Sequence, residues 1–269
     1  MRIELHCHSR WSDGTATVAE VAARLTARAP TVAALTDHDT AAGCGELAAA
    51  VPGALRACEL TCVEDRRAVH VLVYDVASDE RWGEFETLLA EQAAARRQRL
   101  RAIAARLFHL GVVLDVEPIL ARADGRVVGR PDIAAALVAQ GAVADRDEAF
   151  DRWLHDGGPA DVPLARLSIA DGLAAVRAVG ARASLAHPHQ HGDRAARYLR
   201  RYRGDGLDGV EACYGRYDPG ERDRWLRVAD QLGLVATGGS DWHGEPAGEV
   251  AVEIPEERGK ALLAWLGRG

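Results

Sequence analysis

The first third of the chain alternates short apolar runs with amphipathic segments. Ile3 and Leu5 alternate with polar neighbours, which predicts a strand at the start of the chain. Thr17 followed three positions later by Glu20 is the capping-box pattern, and it predicts a helix that runs to about Ala29. Further strands are predicted at residues 31–36, 55–62 and 69–75, with another helix between the first two. This strand–helix alternation indicates a parallel sheet or barrel.

The middle of the chain is helical in pattern and interrupts this alternation. One long helical pattern covers about residues 79–110, and shorter ones follow up to a Gly- and Pro-containing stretch at 157–163. Strand and helix patterns then resume, with strands predicted at 183–187, 208–214 and 234–243 and a closing strand and helix. We therefore predict an α/β domain in two parts, residues 1–78 and 166–269, that are separated by a helical insertion at 79–165.

Composition narrows the class of protein. With 269 residues, 48% of them hydrophobic and 27% charged, the chain is typical of a globular protein rather than of a disordered one. The formal net charge of −7 argues against a general electrostatic coat for nucleic acid but leaves a local basic groove open. No apolar run predicts a membrane span, and the start lacks a signal-peptide core. The five scattered cysteines argue against a disulfide framework, so we expect a cytoplasmic protein without a membrane partner.

His, Asp and Glu residues follow or lie on the apolar strands in one segment after another. The positions are His6, His8, Asp13, His38, Glu59, His70, His187, Asp241 and His243. In a parallel barrel the loops at the carboxyl ends of the strands converge on one face, so these side chains are expected to meet in one pocket. Imidazole and carboxylate groups together suit Zn²⁺, Mn²⁺ or Fe²⁺. The two i, i+2 pairs among them place both members on the same side of a strand.

Several of these signals also have a purely structural interpretation. His70 on an apolar strand is, by itself, more typical of a core histidine, and Asp39 is predicted to cap the following helix. The arginine-rich stretch at 96–101 is predicted to be a solvated helix face, with a groove for polyphosphate or short nucleic acid as the alternative. The glycines at 237–240 lack the Lys and the spacing of a phosphate-binding loop, and we expect them to let backbone approach the site closely.

Short motifs around these residues occur in a distinctive order. They are His6-Cys-His8-Ser, Ser12-Asp13-Gly14-Thr15, Thr36-Asp-His38-Asp-Thr40, Cys58-Glu59-Leu60, Val69-His70, Ala186-His187-Pro188 and Gly239-Ser-Asp241-Trp-His243-Gly. In this order, from residue 1 to about 245, the chain resembles the PHP (polymerase and histidinol phosphatase) superfamily. The resemblance implies an α/β fold, a distorted (β/α)7 TIM-like barrel with a metal cluster at its carboxyl-end face. The helical insertion is similar to that of small bacterial PHP phosphoesterases that act on nucleotides.

The resemblance also implies how the ligands are shared among two or three divalent ions (Mn²⁺, Fe²⁺ or Zn²⁺). One ion would be held by His6, His8, Glu59 and Asp241, a second by Glu59 with His70 and His187, and a third by Asp13, His38 and His243. Asp13 stands where some relatives carry His, which bears on the metal preference of the third position. The same resemblance implies catalytic roles for Asp13, His38, Glu59, His187 and Asp241.

The expected activity is hydrolysis of a phosphate monoester of a small nucleotide, such as a nucleoside 3′,5′-bisphosphate. A hydroxide held between two ions would be the nucleophile, and Arg130 of the insertion would clamp a substrate phosphate. His187 or His243 would assist protonation of the leaving group. Members of this subgroup usually carry His two residues after this arginine, whereas Asp132 stands here and is expected to repel a phosphate.

Other functions stay open on the sequence. A histidinol-phosphate phosphatase, a 5′–3′ exonuclease on short oligoribonucleotides and a cyclic phosphate phosphodiesterase would use the same metal core. The complete ligand set argues against a metal-binding module without activity. The expected partners are a small phosphorylated substrate and, in the exonuclease alternative, short RNA, and the sequence indicates no obligate protein partner.

Overall fold

The fold is described from a computed structural model that covers residues 1–163, 167–246 and 248–268. The strands are β1 (Arg2–Glu4), β2 (Val32–Ala33), β3 (Ala57–Glu64), β4 (Arg67–Tyr74), β5 (Arg182–Leu185), β6 (Leu207–Tyr214), β7 (Val235–Gly239) and β8 (Val252–Glu253). The helices are α1 (Val18–Arg28), α2 (Cys44–Ala50), α3 (Trp82–His109), α4 (Glu117–Ala121), α5 (Arg130–Ala139), α6 (Arg146–Ala149), α7 (Ile169–Ala178), α8 (Asp193–Tyr202), α9 (Pro219–Leu232) and α10 (Glu256–Trp265). This is a mixed α/β fold.

The strands pair in two sheets. One has the order β2-β1-β8 and the other the order β3-β4-β5-β6-β7. Isolated bridges lie where the sheets meet: Ala34 bridges to Leu55, His38 to Glu59 and Cys7 to Trp242. Among the described residues the ladders themselves do not form one closed barrel.

The direction of β4 differs from the expectation of a parallel sheet. β4 is antiparallel to both β3 and β5, whereas β5, β6 and β7 run parallel. The reason is the connection between β3 and β4, which consists of Asp65 and Arg66 with φ angles of +48° and +64°. A two-residue turn of this handedness joins antiparallel neighbours, while a parallel crossover needs a dozen residues or more.

The capping-box prediction for the first helix is confirmed. The Thr17 hydroxyl accepts a hydrogen bond from the backbone N–H of Glu20 at 3.2 Å, and the Glu20 carboxylate accepts one from the Thr17 N–H at 2.7 Å. The helix ends at Arg28, and Ala29 caps it in the left-handed region with φ +46°, close to the predicted end. The strand predicted at 31–36 is shorter, because regular pairing with β1 is limited to Val32 and Ala33.

Buried apolar side chains form a core around the sheets and a separate cluster in the middle of the chain. The separate cluster runs from Leu100 to Ala160 and is built by α3 to α6 and the turns between them. It gives this helical region apolar packing of its own. The domain boundaries at residues 79 and 165 stay a prediction.

Two further observations concern the surface and the thiols. In the part of the chain that the structure describes, no helix is long and apolar enough to cross a membrane. All five cysteines are unpaired and buried: Cys7, Cys44, Cys58, Cys62 and Cys213.

Candidate metal centre

The nine candidate ligands lie at or near one edge of the strands. His6, His8 and Asp13 follow β1, and His38 follows β2. Glu59 lies within β3 and His70 within β4. His187 follows β5, and Asp241 and His243 follow β7. The structure thus brings together side chains that are far apart in sequence.

Glu59 occupies the middle of this cluster and is buried. Its Oε2 atom lies 3.3 Å from His6 Nε2, 3.2 Å from His8 Nε2 and 3.1 Å from His38 Nδ1. Its Oε1 atom lies 3.1 Å from His70 Nδ1 and 2.9 Å from His187 Nε2. One carboxylate therefore faces five imidazoles and uses both of its oxygens.

Asp241 and Asp13 complete the cluster. Asp241 Oδ1 lies 3.3 Å from Nε2 of both His6 and His8, and its Oδ2 accepts a hydrogen bond from the Tyr214 hydroxyl at 2.8 Å. Asp13 lies 3.3 Å from His243 Nε2 and 3.6 Å from His38 Nε2.

Several polar atoms of the cluster are buried without a hydrogen-bond partner. These atoms are His6 Nε2, His8 Nε2, His38 Nδ1 and Glu59 Oε2. Buried polar atoms are normally satisfied, because leaving them unpaired costs free energy. Bound cations would use these same lone pairs, so the donor set fits divalent metal.

The ligand atoms fall into four overlapping groups. Within each group all ligand atoms lie within 4.8 Å of one another. The groups are His8–Asp13–His38–His243, His6–His8–Asp241, His6–Glu59–His187 and His38–Glu59–His70. They differ from the predicted sharing in several ways: His8 also joins the third predicted set, Glu59 is absent from the group of His6, His8 and Asp241, and His187 groups with His6 while His70 groups with His38. The sharing of ligands among ions stays a prediction. Of the residues that belong to two groups, Glu59 alone offers two ligand oxygens, one of which could face each of two ions.

Burial and mutual charge shift the pKa values of the cluster in opposite directions. Burial lowers the pKa of His38 to about 3. For His8 the effect of burial is outweighed by the neighbouring carboxylates of Asp241 and Glu59, which favour the protonated ring and raise its pKa to about 10. Burial also opposes ionisation of Glu59, yet His38 and His6 hold the pKa of this carboxyl well below its usual range. The carboxylates are therefore charged, as cation ligands need to be.

Glu211 is a buried carboxylate that the sequence analysis missed. It lies on β6, accepts a hydrogen bond from His6 Nδ1 at 2.9 Å, and accepts another from the backbone N–H of His187 at 2.6 Å. The first bond leaves His6 Nε2 free to face the cluster. The second holds His187, whose φ of +25° is rare for a residue with a side chain. A charged residue in the middle of an otherwise apolar run, Val210 to Cys213, was the available signal.

The glycines before Asp241 allow close packing of backbone, in agreement with the sequence analysis. A Cβ atom at Gly239 would lie 2.4 Å from both the backbone N and the Cβ of His6. The Asp241 N–H donates to the His6 carbonyl at 2.7 Å. Only a residue without a side chain lets β7 run this close to the histidine.

Arg130 begins α5 and lines a cavity of about 200 Å³ together with Asp13, His38 and His70. Its guanidinium donates to the Leu154 carbonyl at 2.8 Å and to Asp156 Oδ1 at 2.6 Å. It lies beside the cluster, and its role in binding phosphate stays a prediction.

Asp132 differs from its sequence-based interpretation. Its carboxylate accepts a hydrogen bond from the Gly129 N–H at 2.8 Å and forms an ion pair with Arg126. Arg126 therefore offsets the charge of Asp132, and the effect of Asp132 on a substrate phosphate stays a prediction.

The predictions for Asp39 and part of the arginine stretch were wrong. Asp39 does not cap a helix. Its carboxylate accepts a hydrogen bond from the Thr61 N–H at 2.6 Å and forms an ion pair with Arg96, whose Nε lies 2.6 Å away. Arg96 is buried, and Arg99 is half-buried against the Val162 carbonyl and Asp161. The helical pattern could not show that this face of α3 packs against β3 and the end of the helical region.

Comparison with known proteins shows similarity along nearly the whole chain. It is 31% identical to a 3′,5′-nucleoside bisphosphate phosphatase of Chromobacterium violaceum over 257 residues, which cover 90% of this chain and 87% of that protein. It is 30% identical to a 5′-3′ exoribonuclease of Haemophilus influenzae, with 90% of each covered. A crystal structure of a proposed metal-dependent phosphoesterase from Bifidobacterium adolescentis has a TM-score of 0.81 and 29% identity, covering 97% of this chain and 95% of that one. No protein-family model matches the chain.

Proposed function

Because the chain belongs to the phosphoesterase family that includes the 3′,5′-nucleoside bisphosphate phosphatase of Chromobacterium violaceum, we propose that it hydrolyses the phosphate monoester of a small nucleotide, such as a nucleoside 3′,5′-bisphosphate. The enzyme is a hydrolase of phosphate esters. One observation carries the proposal. The imidazoles surround the carboxylate of Glu59, and several of the nitrogen and oxygen atoms that face one another there are buried without a hydrogen-bond partner.

Two or three divalent ions, Mn²⁺, Fe²⁺ or Zn²⁺, would be held by this cluster. The residues that would hold them are His6, His8, Asp13, His38, Glu59, His70, His187, Asp241 and His243. When bound, such ions lower the pKa of a coordinated water toward about 7 and offset negative charge on phosphoryl oxygens. The catalytic roles of Asp13, His38, Glu59, His187 and Asp241 are part of the same proposal.

Side chains of the protein would orient the substrate and donate a proton to the leaving group. Arg130 points from α5 into the cavity beside the cluster, where its planar guanidinium would bind a second phosphate of the substrate. Asp156 now pairs with Arg130 and is half-exposed, so a substrate phosphate would displace it. Of the two candidate proton donors, His243 is more exposed than His187 and can exchange protons with solvent.

A second candidate function is 5′–3′ trimming of short RNA. The similarity to the Haemophilus influenzae exoribonuclease supports it at nearly the same identity and coverage as the phosphatase. Histidinol-phosphate hydrolysis and cyclic phosphodiester hydrolysis stay less favoured alternatives.

The finer structural predictions belong to the same proposal. The order of the motifs supports membership in the PHP superfamily. The bridges from Ala34 to Leu55 and from Cys7 to Trp242 support a distorted (β/α)7 barrel whose wall is interrupted at these points. The separate apolar cluster supports an inserted helical unit at 79–165. The five unpaired, buried thiols support a cytoplasmic location.

The proposal is tested with protein stripped of metal and reloaded with Mn²⁺. We expect release of phosphate from a nucleoside 3′,5′-bisphosphate with kcat/KM at least tenfold above that for histidinol phosphate. Asp13→Ala and His38→Ala are expected to lower kcat by about a hundredfold or more, while the circular dichroism spectrum is kept. His109→Ala, an exposed histidine at the end of α3, serves as the control. Full turnover in both cluster variants would refute the assignment.

A further inference from the structure

The loop between β1 and α1 carries Asp13, and two sets of hydrogen bonds hold it. In the first set, the buried carboxylate of Asp37 accepts hydrogen bonds from the Ser9 N–H at 2.8 Å, the Ser9 hydroxyl at 2.7 Å and the Ser12 hydroxyl at 2.6 Å. In the second set, the carbonyl groups of Trp11 and Ser12 accept hydrogen bonds from the segment between α4 and α5. The backbone just before Asp13 is therefore held by residues that lie more than a hundred positions away.

Two neighbouring residues of the helical region (α3 to α6) form the second set. The Val127 N–H donates to the Trp11 carbonyl at 2.8 Å. Nη1 of the half-buried Arg126 donates to the Ser12 carbonyl at 3.2 Å. Backbone carbonyls in a folded protein need such partners, because a buried carbonyl without one costs free energy. Loss of Arg126 would therefore release the loop directly beside a candidate metal ligand.

Asp132 on α5 orients Arg126. One oxygen of its carboxylate pairs with Nη2 of Arg126, and the other accepts a hydrogen bond from the Gly129 N–H at 2.8 Å. A guanidinium is planar and presents its donors in fixed directions, so the pairing of Nη2 with Asp132 directs Nη1 toward the Ser12 carbonyl. The Asp132 carboxylate thus has a partner and a task that the sequence did not indicate.

A second candidate ligand is also next to a residue that the helical region holds. His38 is followed by Asp39, which forms the buried ion pair with Arg96 of α3. Asp13 and His38 belong to the same group of ligand atoms, which we name the Asp13 group: His8, Asp13, His38 and His243. Two of its four members are therefore adjacent in sequence to residues that bond to the helical region.

Carboxylates on the strands hold ligands outside the Asp13 group. Glu211 on β6 accepts hydrogen bonds from the His6 ring and from the His187 N–H. Glu4 on β1 is also buried and accepts a hydrogen bond from the His6 N–H at 3.1 Å. Different parts of the fold thus support different parts of the metal centre.

We propose that Arg126 and Asp132 are positioning residues for one ion, the ion that the Asp13 group would hold, so that filling of this position depends on contact between the helical region and the Asp13 loop. This inference rests on the metal ions of the proposed function and extends it by giving the helical region a part in metal binding. Residues that orient metal ligands typically change metal affinity by 10- to 100-fold when they are replaced.

The test is equilibrium dialysis of metal-stripped protein against a series of Mn²⁺ concentrations. Bound metal, measured by elemental analysis, gives a dissociation constant for each ion. In Arg126→Gln, whose side chain is too short for both partners, we expect one constant to rise about tenfold or more and the others to keep their wild-type values. Asp13→Ala identifies the ion concerned, because this variant lacks the ligand itself.

Asp132→Asn is a second variant with a milder change. Its side-chain oxygen can still accept from the Gly129 N–H, but its NH₂ group faces Arg126 and the charge is lost. We expect a smaller rise in the constant of the same ion. Arg97→Gln is the matched control, since Arg97 is a half-buried arginine on α3 that donates to the Leu120 carbonyl at 2.9 Å, within the helical region. It should bind Mn²⁺ like the wild type.

Urea unfolding of the metal-free proteins separates positioning from general stability. A merely structural role for Arg126 would lower the free energy of unfolding and raise all dissociation constants together, which would overturn the inference. Unchanged constants in Arg126→Gln, or a change in an ion that Asp13→Ala leaves unaffected, would overturn it as well.

The failure of the proposed function is distinguishable from the failure of this inference. A wild-type protein that binds no Mn²⁺ overturns both. A wild-type protein that binds Mn²⁺ but releases no phosphate from a nucleoside 3′,5′-bisphosphate refutes the proposed function, while a selective loss of the Asp13 ion in Arg126→Gln still supports the positioning role.

Discussion

Glu211 links two different parts of the metal centre. Its two oxygens hold His6 through a ring nitrogen and His187 through the backbone. The side chain of Glu211→Gln has one carbonyl oxygen, which can replace only one of the two carboxylate oxygens. Its NH₂ group would face either the His6 ring N–H or the His187 backbone N–H, and two donors do not form a hydrogen bond. We expect this variant to bind Mn²⁺ about 10- to 100-fold more weakly, because a ligand histidine loses its orientation.

The measurement for Glu211 is metal bound per chain by elemental analysis, with affinity from a Mn²⁺ titration. Ser184→Ala is the control, since Ser184 is buried on the neighbouring strand and bonds to Thr237 rather than to a histidine. A merely structural role for Glu211 would lower the unfolding temperature without changing metal affinity. Such a result would contradict the positioning role.

His191 lies outside the cluster, and we expect its burial to reduce the stability of the protein in mild acid. Burial, followed by the neighbouring His187, lowers its pKa from 6.5 to about 4, so the folded chain prefers the neutral ring. Stability from this group is present above pH 6.5, falls as the unfolded chain takes up a proton below 6.5, and is lost near pH 4. Between pH 7 and 5 the loss is about 1 to 2 kcal/mol.

The corresponding experiment measures urea unfolding of wild-type protein and His191→Gln at pH 7 and pH 5. The variant is expected to lose less free energy of unfolding over this interval than the wild type by about 1 to 2 kcal/mol. His155→Gln, which changes an exposed histidine, should behave like the wild type. Parallel losses in wild type and His191→Gln would show that the ring does not resist protonation.

At the scale of elements, one buried ion pair fastens the long helix α3 to the sheet. Arg96 on α3 bonds to Asp39, which follows β2, and to the hydroxyl of Thr61 on β3. Arg96→Leu would leave Asp39 charged and buried without its cationic partner. The expected loss is about 3–5 kcal/mol in free energy of unfolding.

The double variant Asp39→Leu/Arg96→Leu separates the pair from its surroundings. Because it removes both charges, we expect a smaller loss than in Arg96→Leu alone. Chemical unfolding of the wild type, Asp39→Leu, Arg96→Leu and the double variant measures the difference. A double variant that is as unstable as the sum of its single variants would mean that the two side chains do not interact.

Local sequence signals predicted the elements and ligands that depend on neighbours in the chain. The capping box of α1 and the polar residues after β1, β5 and β7 are visible in a few adjacent residues. Glu211 was missed because its partner His6 lies 205 positions away. Arg96 was misjudged for a similar reason, since only the folded chain shows which side of α3 is covered. The antiparallel direction of β4 was missed because the predicted strands ended at 62 and began at 69, whereas in the structure β3 and β4 extend to a turn of two residues.

At the scale of the whole molecule, removal of metal should destabilise the fold. A ligand that binds only the folded state at a hundred times its Kd stabilises it by about 2.7 kcal/mol. For a chain of this size that corresponds to a rise in Tm of roughly 5–10 °C.

Differential scanning calorimetry of chelated and Mn²⁺-reloaded protein tests this expectation. His6→Ala, which lacks one buried ligand, is expected to show less than half of the wild-type shift. The same Tm with and without metal in the wild type would indicate that the cluster does not bind Mn²⁺ in the folded protein.

The wide spacing of the cluster along the chain has a consequence for biosynthesis. Ribosomes add about 5–20 residues per second, so His6 is made roughly 10 to 50 s before His243. During this interval the histidines made first cannot contact Asp241 or His243, so a nascent chain has only part of the metal-binding site. Metal binding therefore comes late in the maturation of the protein. A truncated product that ends before residue 241 would lack the complete metal site.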